Sequence, residues 1–209
     1  MARRAPLHAR PREQSRSGGV DGNTRLTSGL AAIIFVLLFV EGLTIVAIGS
    51  LLTPHVFIGA LLIPPVLVKT GTTGYRMVRY YLGEREYVRR GPPAMLLRLL
   101  GPFVVILTWV LLGSGLLLVV GAPASWHAQL FTIHRASFVL WFGAMSIHVL
   151  GHLVETARFA PRDWIRFTRR QVRGATTRQW VLAASVVVGL IVATLVAPHA
   201  SSWRVLIGG

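Results

Sequence analysis

The chain has 209 residues, 53% of them hydrophobic and only 14% charged, with a mean hydropathy of +0.60. Soluble domains carry roughly a quarter charged residues, so this composition excludes an ordinary water-covered globule. The formal net charge of +15 would suit nucleic acid, but the placement of the arginines described below argues against it, and the absence of cysteine removes disulfides, thiolate metal sites, iron–sulfur clusters and covalent c-type haem.

A helix needs about 20 apolar residues to cross a hydrocarbon core of ~30 Å. That length test predicts an all-α integral membrane bundle with five transmembrane helices, at 30–51, 55–75, 95–120, 134–156 and 180–197. Residues 1–29 are rich in Arg, Ser, Gly and Pro and read as a disordered basic arm; 199–209 read as a short outer tail. The first apolar run is too long for a signal-peptide core and reads as an uncleaved anchor.

The arginines divide sharply. Nineteen lie before the first span, between the second and third or in the first turn of the third (Arg98), or between the fourth and fifth, whereas only Arg135 and Arg204 lie on the other side. Basic residues resist translocation, so the rich side is expected to be cytoplasmic, with the chain in the inner membrane of a bacterial cell and its N-terminus in the cytoplasm. The same loops would attract anionic lipid headgroups, and no nucleic-acid partner is expected.

The first span carries one charge, Glu41. A carboxylate at that depth is expected to be protonated or paired, either as a bond between helices or as acceptor of a ligand histidine's spare ring N–H. A short turn, Leu51 to Pro54, is expected to lead into the second span. Pro64-Pro65 should kink that span at mid-depth, with neighbouring helices covering the kink. The third span is almost uniformly apolar. Arginines alternate with Trp164, Ile165, Phe167 and Trp180 from Ala160 to Gln179, a pattern compatible with an amphipathic surface helix.

Of seven histidines, four lie in or beside the spans: His55, His134, His148 and His152. Ionisable residues at membrane depth are costly and usually functional. At ~100° and 1.5 Å per residue, His148 returns to within about 40° of the His134 face and ~21 Å further in, and His152 falls on that face directly. Phe138, Trp141 and Met145 complete the stripe. His55 begins the second span, level with His134, and Gly59 removes bulk one turn later. Two imidazoles at one depth on different helices suit the axial ligation of a haem iron. The second use of this face is a divalent-metal or proton site from His148, His152 and Glu155, which share one side of a helix.

The run from His134-Arg135-Ala136-Ser137 through Trp141 and Met145 to His148-Val149-Leu150-Gly151-His152 resembles the haem-binding helix of membrane b-type cytochromes. The group includes bacterial cytochrome b561 and the cytochrome b subunits of formate dehydrogenases and hydrogenases. The second span, with His55, Gly59, Pro64-Pro65, Lys69 and Gly74-Tyr75-Arg76, is also similar to that of actinobacterial multi-pass membrane proteins. The resemblance covers about residues 53–158 and implies a four-helix core holding haem b between paired histidines. His55 and His134 would then ligate one haem, with Gly59 beside the ring and Lys69, Arg76 or Arg135 near its propionates. His148 would ligate a second, but Lys69 stands where its partner histidine would be. The implied role is an electron-transfer subunit working with a quinone or a partner redox subunit. A small metal or proton transporter and a cofactor-free structural subunit are the alternatives.

Overall fold

A computed structural model describes residues 18–92 and 95–200. Seven α-helices occur among them: α1 (Gly19–Val46), α2 (Ile48–Tyr81), α3 (Arg85–Arg90), α4 (Met95–Val120), α5 (His127–Phe159), α6 (Arg166–Arg169) and α7 (Ala175–Val196). Short 3-10 turns cover Ala124–Trp126, Ala160–Asp163 and Ala197–Ala200, and no strand occurs among the described residues. Five helices are long and apolar enough to cross a membrane. The side chains are arranged to match: Phe39, Val139, Phe142 and Leu150 point outward, while Thr108, Ser114, Ser137 and Ser185 are buried. The chain is an all-α, multi-pass membrane protein.

Four of the spans form a ring. In that ring α1 packs on α2, α2 on α4, α4 on α5, and α5 back on α1, so that α2 and α5 occupy opposite corners. The fifth span, α7, lies outside the ring against α2 and α1. A residue of α2 can therefore meet one of α5 only by reaching across the centre.

Several helix boundaries differ from the expected ones, each for a local reason. The expected disordered arm ends at residue 18 at the latest, because Gly19 to Gly29 are helical. Gly18 adopts φ 77°, and a Cβ there would collide with the Val172 side chain, so the chain enters α1 tightly packed on the α6–α7 connection. Arg25 is buried and bonded to Asp163. Asp163 lies 138 residues away and Thr168 O, its other acceptor, 143, beyond the reach of a local composition argument. The remainder of the arm, 1–17, and residues 201–209 of the tail lie outside the described residues.

The reversal between α1 and α2 runs from Ala47 to Leu51, whose dihedrals leave the helical range, and Pro54 already lies inside α2. Residues Pro64 and Pro65 keep helical dihedrals. A proline accepts a helical φ; what it lacks is the N–H that would bond the carbonyl four residues back. Pro65 thus leaves Leu61 O without its helical donor. Gly189 of α7 fills that gap, and a Cβ there would lie 2.5 Å from Leu61 O. Small residues let membrane helices approach this closely. α4 keeps its expected bounds; α5 and α7 begin seven and five residues earlier than expected.

No continuous amphipathic helix forms over 160–179. Asp163 is drawn inward to Arg25 and Arg178, and Gly174 reverses the chain at φ 82° before α7. Gln179 Nε2 donates to Asp163 O at 2.9 Å, and Arg178 Nη1 to Arg173 O at 2.7 Å.

Candidate functional site

His55 near the start of α2 and His134 in α5 meet across the centre of the ring. Their ring centroids are 6.4 Å apart and their planes perpendicular. Each ring is held through Nδ1. Nδ1 of His55 lies 3.0 Å from Glu41 Oε1 and 2.9 Å from Thr44 Oγ1, both on α1. Nδ1 of His134 lies 3.0 Å from Leu111 O and 3.2 Å from Ser114 Oγ, both on α4. All four helices of the ring therefore contribute.

The local sequence explains the fit. Thr44 follows Glu41 by three residues and donates its hydroxyl to Glu41 O, which sets both acceptors on the face of α1 that looks at His55. Ser114 likewise follows Leu111 by three and bonds Leu111 O. Two glycines clear the space. A Cβ on Gly115 would lie 2.9 Å from His134 Cε1, and one on Gly59 would lie 3.3 Å from Glu41 Oε1. Gly59 therefore makes room for the carboxylate that supports His55.

This donor set fits a bis-histidine metal centre. A ligating imidazole usually engages a carboxylate or a backbone carbonyl with its other nitrogen; here the two rings use one of each. Two imidazole–metal bonds of ~2.0 Å place ring centroids roughly 6 Å apart when one metal lies between them. The separation found is 6.4 Å.

The other expected site residues go elsewhere. Lys69 lies 14 residues beyond His55 and directs Nζ to Thr27 O at 3.5 Å, bracing α1. Arg76 lies 21 residues beyond His55, about 31 Å at the helical rise, so it cannot serve a group held at His55. Arg135 follows His134 but is exposed, its guanidinium 5.5 Å from the Phe131 ring centroid. Adjacent helix positions face different directions, which sequence proximity hides.

His148 and His152 form a second group toward the arginine-rich end of α5, with ring centroids 4.7 Å apart. His152 Nδ1 is 3.6 Å from Glu155 Oε2, and Arg90 Nη2 is 3.4 Å from Glu155 Oε1. Nδ1 of His148 is buried without a hydrogen-bond partner. Among the described residues no three His, Asp or Glu side chains converge as ligands of one ion. The expected trio of His148, His152 and Glu155 therefore lies in sequence along one side of α5, with Arg90 from α3 against the other carboxylate oxygen. Lys69, level with His148, lies within electrostatic range of both His148 and Glu155.

Thr44, Leu111, Ser114 and Gly115 also belong to the first site. Ser114-Gly115 sits 20 and 19 residues before His134 on an antiparallel neighbour. A small pair at the depth of a ligand histidine is the signal that marked the place. Comparison with family models, curated proteins and solved structures returns no match.

Proposed function

We propose that this chain is a membrane-embedded b-type haem protein that passes electrons between a quinone or a partner redox subunit and the rest of a redox chain. The observation that carries the reading is the His55–His134 pair, 6.4 Å apart, on opposite corners of a four-helix ring. When bound, the haem would supply a one-electron redox couple. The chain's own residues do the positioning. With Nδ1 of each imidazole engaged, ligation falls to Nε2. Glu41 and Thr44 accept the His55 Nδ1–H, and Leu111 O accepts that of His134, which fixes both tautomers and raises the basicity of the ligating nitrogens. The apolar exterior excludes water from the pair. The 19 arginines at one end support an orientation with that end, and the N-terminus, in the cytoplasm of a bacterial cell.

The test is an absorption spectrum of protein purified from haem-replete cells. A Soret band with sharp reduced α-bands is expected. His55→Ala or His134→Ala should abolish it, while His127→Ala, which removes only a bond to Ala122 O, should leave it. Colourless wild-type protein, folded by circular dichroism, would overturn the proposal. A competing proton-transport reading rests on the contiguous His148–His152–Glu155 chain. It predicts that His152→Ala changes proton flux in vesicles with no optical consequence.

A further inference from the structure

The arginine-rich end contains a cavity of about 450 Å³, lined by Arg166, Arg169, Arg170 and Arg173 together with Val172 and the Gly174-Ala175 start of α7. None of these four arginines has a carboxylate partner among the described residues; Asp163, the acid of the same connecting segment, is occupied by Arg25 and Arg178. All four arginines are exposed, and like charges gathered around one concavity repel one another unless an anion joins them. The turn that gathers them is held open by Asp163 pulling Arg178 inward and by Gly174 in its left-handed conformation. Arg169 Nη2 also donates to Thr176 Oγ1 at 2.9 Å, which pins α6 against the first turn of α7.

Three aromatic residues close in sequence to the cavity's lining are outward-facing. Phe167 is 80% exposed, Trp180 71% and Trp164 66%. A concavity with four arginines among its lining residues, in a segment that also carries exposed aromatic side chains at the end of a transmembrane helix, matches a molecule with a charged head and an apolar tail. We infer that this cavity binds the phosphate of an anionic phospholipid, with its acyl chains lying against Trp164, Phe167 and Trp180. Arginine suits the role because its planar fork bonds two phosphate oxygens at once. The backbone N–H groups at the start of α7 add donors of the same sense. The site is independent of the haem reading and stands or falls separately.

The experiment uses the full chain in nanodiscs of phosphatidylcholine with increasing phosphatidylglycerol, read by native mass spectrometry of retained lipid. Wild type should retain phosphatidylglycerol over phosphatidylcholine. An arginine near an anionic surface contributes roughly a fivefold factor, so the Arg169→Gln/Arg173→Gln variant should lower that preference roughly 25-fold. Arg85→Gln/Arg89→Gln, which removes two exposed arginines outside the cavity, should keep most of it. Equal loss in both double variants would show a diffuse surface effect and overturn the assignment. Displacement of the lipid by millimolar inorganic phosphate would show a free-phosphate site and overturn the lipid choice. A matched melting temperature for both variants shows that the readout is binding rather than folding.

Discussion

Asp163→Asn is the perturbation with the largest calculable consequence. Asp163, Arg25 and Arg178 are 4%, 4% and 5% exposed. The carboxylate receives Arg25 Nη1 at 3.1 Å and Arg178 Nη2 at 2.7 Å on Oδ1, and Arg178 Nε on Oδ2. Asparagine keeps the volume and removes the charge, leaving two buried guanidinium groups against a neutral amide. Breaking a buried pair by removing one partner costs about 3–5 kcal/mol, most of it the uncompensated charge. For a chain of this size, each kcal/mol corresponds to roughly 2–4 °C in melting temperature, so the variant should melt on the order of 10 °C lower. The assay is intrinsic tryptophan fluorescence on heating in detergent. The control is Glu84→Gln, whose ion pair with Arg79 is more than a third exposed on the arginine side and therefore contributes at most about 1 kcal/mol. A second control replaces Arg25, Asp163 and Arg178 together by apolar residues, which should recover much of the loss. An Asp163→Asn protein that melts within about 2 °C of wild type would refute the claim that this triad ties α1, the turn after α5 and α7 together.

Gly189→Ala should destabilise by about 1–3 kcal/mol, because its new methyl meets the Leu61 carbonyl at 2.5 Å and backbone cannot step aside. Gly151→Ala meets only the Leu97 side chain, at 2.6 Å, and should cost less, since that side chain can rotate; thermal melts of the pair decide it. Gly115→Val should displace His134 from Leu111 O and, under the haem proposal, reduce the Soret absorbance per protein several-fold while the helical circular dichroism holds; an unchanged band would contradict the close contact. In α3, burial pushes the Tyr87 phenol up to about 12. Its folded value lies above its unfolded one, so its contribution to stability is complete below about pH 10 and is lost as pH rises toward 12. Ultraviolet titration should show a last tyrosine ionisation that Tyr87→Phe removes.

The five spans were legible because a bilayer imposes a length and a polarity on any segment that crosses it, and both are one-dimensional properties. The pairing of His55 with His134 was anticipated from depth alone, since the second and fourth spans start from the same side of the membrane and each histidine lies near the start of its span. The support of His55 by Glu41 was open between two uses, and the 3.0 Å contact shows where the carboxylate points. Which corner of the ring each helix occupies depends on interhelical packing, and Thr44, Ser114, Gly115 and Gly189 matter only through that packing. Arg25 illustrates the limit most clearly. Along the chain it is one more basic residue before a span, and in the folded protein it is buried against an acid 138 residues away. Local composition records what each segment tolerates in water or lipid; the partner that makes a buried charge tolerable is chosen by the tertiary fold.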